Sequence, residues 1–153
     1  MGRPSINYIL TSKGMAYFPK RYNLLSEMVL RELSTELTPE QRTNFMQKLG
    51  KKLADQYRAQ VEGKTESARR IFLFDLMQKL GFQITMKRDP ASDATEIYAH
   101  NCIYHDVAQQ FHEICMLDQT LIAELMDKKI ELQCCMAKGD GMCCFKLNSD
   151  KSL

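Results

Sequence analysis

No cysteine occurs before position 102 in this chain of 153 residues, and six then fall between positions 102 and 144. Their spacing carries a second absence: no two of them are separated by two residues. That excludes the C-x₂-C knuckle of a structural zinc finger and the C-x-x-C of thioredoxin-type redox chemistry. Apolar runs never exceed a handful of residues, so no transmembrane span is expected. Met1-Gly2-Arg3-Pro4 leads into no apolar signal-peptide core, and Ile6 stands where myristoylation needs Ser or Thr. These absences predict a cytoplasmic protein with no membrane partner. Thiols stay reduced in that compartment, where a cysteine group points to metal binding or redox chemistry rather than to stapling disulfides. Internal repeats and low-complexity segments are also missing.

What is present describes a soluble chain able to bury a core, with 44% hydrophobic and 26% charged residues. The net charge of +2 is unevenly spread. Residues 1–60 hold ten Lys/Arg against five Asp/Glu, and residues 102–153 hold five against eight. A basic front half is compatible with a polyanionic partner, and equally with a solvated surface.

Hydrophobic periodicity divides the chain in two. Residues 5–11 read as a short strand, and Thr11-Ser12 as the cap of a brief helix closed by Pro19. That strand has no partner upstream, so the opening looks like the end of a larger unit. Leu25, Val29, Leu33 and Leu37 recur every four residues and predict an amphipathic helix over 21–37. Thr38-Pro39-Glu40-Gln41 then combines an N-cap, a first-turn proline and a capping box. The helix it opens carries Met46, Leu49, Leu53 and Tyr57 and stops at Gly63; a further helix over 65–80 ends at Gly81.

After Gly81 the period changes to two. Phe82, Ile84 and Met86 alternate with polar residues, a turn follows over 89–93, and a strand returns over 95–99. His100-Asn101-Cys102-Ile103-Tyr104-His105 forms a polar loop, after which Asp106 caps a helix reaching Cys115. A second helical stretch covers 117–127. Alternation over 130–136, a Gly139-Asp140-Gly141 turn and a strand over 142–147 complete a hairpin. The fold class expected is α+β: helices first, then an antiparallel sheet with a helical crossover on one face.

Parity places Cys134 on the core face with Ile130 and Leu132, and Cys135 on the opposite face with Glu131 and Gln133. Cys143 shares a face with Phe145 and Leu147, and Cys144 with Lys146. Neighbouring strand residues diverge, so neither vicinal pair supplies two ligands to one ion. No acid–base pair or nucleophile signature accompanies the cysteines, and Asp106, His112 and Glu113 read as a cap and a solvated helix face; a non-enzyme is expected. The thiols thus come from a loop, a helix end and a strand. Such a set suits an iron–sulfur cluster, buried packing or redox sensing.

A resemblance sharpens this. Gly2-Arg3-Pro4, Tyr8, Leu10-Thr11, Gly14, Phe18-Pro19 and Tyr22 resemble the wing and exit of the winged helix-turn-helix of ArsR/DeoR-like regulators. His100-Asn101-Cys102-x-Tyr104, Val107-Ala108, Cys115 and Gly139-Asp140-x-x-Cys143-x-Phe145 resemble the sensor half of SufR-type iron–sulfur transcriptional repressors. The intervals of twelve residues from Cys102 to Cys115 and twenty-seven from Cys115 to Cys143 match that family's cluster cysteines.

The resemblance implies a wing remnant over 1–19, a helical dimerisation region over 20–81 and a sensor domain over 82–153. It implies Cys102, Cys115 and Cys143 as ligands of an iron–sulfur cluster, 4Fe–4S or 2Fe–2S, with His105, His100, Cys135 or a small molecule as candidates for the fourth position. It further implies a homodimer that represses cluster-assembly genes and releases DNA when the cluster is lost. Arg3 would contact DNA, but without a recognition helix this chain alone would not bind it specifically. The segment Cys135-Met136-Ala137-Lys138-Gly139-Asp140-Gly141-Met142-Cys143-Cys144-Phe145 is also similar to the hairpin of vinyl-reductase-type domains. That likeness implies the alternative, a small-molecule-binding or thiol redox-sensing module without a cluster.

Overall fold

Residues 6–88 and 94–148 are described by the structure, a computed structural model. Among the described residues seven α-helices precede or interrupt a four-stranded antiparallel sheet, so the mixed α+β class expected from the periodicities is the one adopted. Local capping chemistry sets three of the helix starts. Thr11 accepts the Gly14 N–H to open α1 (Ser12–Ala16). Thr38 and Gln41 form the full reciprocal capping box, with Pro39 in the first turn, at the head of α3 (Pro39–Asp55). Thr65 opens α5 (Glu66–Lys79) in the same way by accepting the Ala68 N–H. Between them lie α2 (Tyr22–Glu36), which lacks a side-chain cap, and the single turn α4 (Arg58–Val61). The helix predicted to run on to Gly63 therefore breaks at Gln56 and restarts.

The strands are β1 (Ile84–Arg88), β2 (Thr95–Ala99), β3 (Lys129–Cys134) and β4 (Cys143–Asn148), in the order β1-β2-β4-β3. With β4 antiparallel to both neighbours, β2 and β3 run parallel, and parallel strands need a crossover. That crossover is α6 (His105–Ala108), a 3₁₀ turn (His112–Ile114) and α7 (Cys115–Met126). Ile97 faces Phe145, Leu132 faces Phe145 and Ala99 faces Cys143 on the inner side of the sheet. Against them pack Leu73, Leu76 and Met77 of α5 and Leu121, Ile122 and Leu125 of α7. Each large aliphatic side chain so buried contributes roughly 1.5–3 kcal/mol.

Helix α7 also lies tightly on α3. A Cβ at Gly50 would stand 2.6 Å from the Leu117 carbonyl oxygen and 2.7 Å from Thr120 Cβ, so the two backbones meet where only glycine fits. Arg42 ties the ends together: its Nη1 donates to the Ser34 and Leu37 carbonyls and its Nε to Glu113 at 2.7 Å.

Several expectations are corrected. Residues 6–10 form no strand; among the described residues nothing pairs with them, and Tyr8 is 91% exposed. Asp106 does not cap α6; Tyr104 occupies that position without a side-chain bond, and Asp106 sits in the first turn. The helix expected to reach Cys115 ends at Ala108, because Phe111 takes an extended φ of −129°. Cys115 is instead the first residue of α7. Arg3 and the rest of the proposed wing tip, and the turn at 89–93, lie outside the described residues.

Candidate metal centre

Three elements bring the thiols together, each held by its own backbone chemistry. Cys102 follows β2 in a loop fixed by Asn101, whose Oδ1 accepts the Gln83 N–H at 2.6 Å while its Nδ2 donates to the Gly81 carbonyl at 2.9 Å. Asn101 thereby clamps the Cys102 loop to the turn joining α5 and β1. Gly81 can supply that turn because its φ of +104° is open to glycine. Burial pushes the Cys102 thiol pKa up, while the Tyr104 backbone N–H works in the opposite direction.

Cys115 enters from the start of α7, and its position depends on the 3₁₀ turn before it. His112 Nε2 lies 3.1 Å from the Ala137 carbonyl, joining that turn to the β3–β4 connection. The Cys115 Sγ is 3.7 Å from Cys135 Sγ. Burial first, and then the neighbouring Cys135, drive the Cys115 thiol well above its ordinary value.

The hairpin contributes Cys143 and, unexpectedly, Cys135. Strand pairing is regular through Leu132 with Phe145, and then shifts so that Cys134, not Gln133, faces Cys144. One extra residue in β3 makes a bulge that turns every following side chain to the other face. Two predictions are corrected in consequence. Cys134 is not a core side chain but leaves the inner face and forms a disulfide with Cys144. Cys135, expected outside, turns inward and is only 3% exposed. The remaining four cysteines are free.

The connection after the bulge is wound around Cys135. Its N–H donates to the Asp140 carboxylate at 2.7 Å, and its carbonyl accepts from the Lys138 and Asp140 N–H groups. Gly139 makes the return possible with φ +98°. The Met136 N–H, in turn, donates to Cys143 Sγ at 3.4 Å. The Cys143 thiol is pushed up to about 11 by burial, with Cys135 and Cys102 adding to it. The Gly-Asp of the hairpin motif thus shapes the backbone that aims two thiols inward.

Cys102, Cys115 and Cys143 line one small cavity, of about 10 Å³, beside Tyr104 and Asp118. That is space for one water molecule. Asp118 is 7% exposed, and burial raises its carboxyl pKa to about 7 with no cation to offset it. Tyr104 is raised as well, by burial first and then by Asp118. The site therefore has soft donors, one buried acid and no buried positive charge among the groups that perturb these thiols. Among the described residues no group of three or more His, Cys, Asp or Glu side chains is placed to hold a metal ion.

The two histidines considered for the fourth position point elsewhere. His100 Nε2 lies 3.1 Å from Thr85 Oγ1 at an exposed site, and His105 Nε2 lies 3.0 Å from the Gln109 amide. Neither lines the cavity. Asp118 went unnoticed in the sequence although it follows Cys115 by three residues, the spacing that puts two side chains on one helix face. The inward turn of Cys135 had no comparable local signal.

Beyond Cys102 the cavity wall gives onto an open apolar groove of about 810 Å³ between α2, α3 and the 102–107 loop. Leu25, Val29 and Leu33 form one side of it, and Phe45, Met46 and Leu49 the other. Leu24 and Met28 of α2 are more than half exposed as well. None of the described helices is long and apolar enough to cross a membrane. Comparison with models of protein families returns no match for this chain, and comparison with curated proteins returns none either.

Proposed function

We propose that the chain is the dimerisation and sensor region of an iron–sulfur cluster-dependent transcriptional repressor, with a binding rather than a catalytic role. One observation carries the reading: Cys102, Cys115 and Cys143, drawn from a loop, a helix start and a hairpin, line the same buried cavity. The donor set fits such a group. All three thiols have raised pKa values, so without a cation they are protonated at neutral pH. An iron–sulfur cluster bound there supplies thiophilic positive charge, which favours the thiolates that burial disfavours.

The protein's part is positional. Cys102 is anchored through Asn101 to the α5–β1 turn, Cys115 begins the helix that crosses α3 at Gly50, and Cys143 begins the second strand of the hairpin. Joining these sulfurs couples the sheet to the helical layer, and binding free energy becomes ordering free energy. The loop bearing Cys102 also borders the groove lined by α2, whose exposed apolar face is the surface through which we propose two copies pair. In the full-length homodimer, cluster loss would then alter the spacing of two DNA-binding heads and release the operators of cluster-assembly genes.

Anaerobic reconstitution tests the reading. A coloured protein is expected, with iron and sulfide well above those of the triple variant Cys102→Ser/Cys115→Ser/Cys143→Ser. A colourless wild type with iron no higher than that variant ends the cluster claim. The second reading, a small-molecule or thiol redox module without a cluster, is favoured by the 810 Å³ groove and by the Cys134–Cys144 disulfide. The groove reaches Cys102 instead of standing apart from the thiols, so the first reading accounts for more of the site.

A further inference from the structure

We propose that Cys135 is the fourth protein ligand of the centre held by Cys102, Cys115 and Cys143, completing an all-thiolate set. This rests on the reading given above and adds to it a ligand that the cysteine spacing left undecided. The argument begins with the bulge. Continued alternation would have sent Cys135 outward with Glu131; the extra residue at Gln133 reverses it and places its sulfur 3.7 Å from Cys115 Sγ. The same shift removes Cys134 to the far face, where the disulfide with Cys144 occupies it. Each vicinal pair is thereby split, one sulfur outside in the disulfide and one inside among the free thiols.

Backbone bonds also fix Cys135. Its N–H and its carbonyl are both held by the turn it begins, through Asp140 and Lys138, so the direction of its side chain is set by backbone hydrogen bonds.

The rival donors are weaker. His100 and His105 are engaged at exposed sites away from the cavity. Asp118 lines the cavity, but a carboxylate oxygen is a hard donor, whereas iron bridged by sulfide favours thiolate. Cys135 does not line the cavity, but its sulfur lies 3.7 Å from that of Cys115, which does. A centre reaching all four sulfurs would therefore extend beyond the cavity.

The test compares the full chain with Cys135→Ser, Cys135→Ala and Asp118→Asn, each reconstituted anaerobically with iron and sulfide and examined by Mössbauer spectroscopy. Far-UV circular dichroism reports folding. In the wild type every iron is expected to show tetrahedral sulfur ligation. At least one Cys135 variant should fold and show a distinct iron with an oxygen or nitrogen ligand. Its cluster should survive chelator for a time shorter by about tenfold or more, and a small added thiol should restore the wild-type spectrum; Asp118→Asn should leave the iron sites unchanged. A wild-type chain already holding an iron with oxygen or nitrogen ligation overturns the proposal without recourse to any variant. So does a Cys135 variant with a wild-type spectrum and lifetime, and in both cases the three-cysteine reading survives. Wild-type protein that takes up no cluster removes both.

Discussion

Asp118 is the residue whose chemistry is most exposed to measurement. It is buried at the thiol cavity, and burial raises its pKa from an ordinary aspartate value to about 7. The folded chain thus binds a proton that the unfolded chain has already released over the range between those values. The associated stability is fully present below the unfolded pKa and is lost as pH rises through about 7. Urea denaturation of the cluster-free protein should show a fall on the order of 3 kcal/mol between pH 5 and pH 8. Asp118→Asn should flatten the profile across that window, and an undiminished slope in the variant would show that another group is responsible. Glu113 acts in the other direction and at lower pH. Burial pushes its pKa up, but its own backbone N–H and Arg42 outweigh that and leave it lowered. Its contribution is therefore present above the ordinary glutamate range and disappears as pH falls through the lowered value.

Among the elements, the crossing of α3 and α7 decides whether the two halves of the site are in register. Gly50 lets the helices approach until a side chain would meet the Leu117 carbonyl and Thr120. Alanine is the better helix former by about 1 kcal/mol, yet a methyl group there collides with backbone that cannot rotate away. Gly50→Ala is expected to destabilise the protein by about 1–3 kcal/mol in chemical denaturation. A variant more stable than wild type would mean that the helices are not this close. The effect should reach the site as well, because Cys115 and Asp118 stand on the first turn of α7 and move with it.

At the scale of the whole molecule, the front of the chain is unfinished by itself. Leu24, Leu25, Met28 and Val29 of α2 are half or more exposed, and the groove beside them opens onto the Cys102 loop. An amphipathic helix with this much apolar surface in water needs a cover. With a second copy as that cover, light scattering behind size exclusion should give twice the monomer mass, and Met28→Glu should shift the protein to monomer while leaving α7 and the sheet folded. Wild-type monomer at tens of micromolar would remove the dimer and, with it, the route from thiols to DNA spacing.

How much of this was readable beforehand follows from the range of the interactions concerned. The caps at Thr11 and Thr38, the stop at Gly81 and the change of period that begins the sheet are local, because a side chain and an N–H three residues away suffice. The α+β class followed from them, and so did the grouping of candidate thiols on a loop, a helix and a hairpin. The faces of Cys134 and Cys135 could not follow. They depend on the register of β3 against β4, and one inserted residue inverts both. The disulfide partner, the closed cavity and the burial of Asp118 were decided the same way, by contacts between residues distant in the chain. Sequence alone determined which residues could form helices and strands and which could offer sulfur. Tertiary structure decided which sulfurs share a space, since a strand's pairing partner sets its register and local propensity is the same on either face.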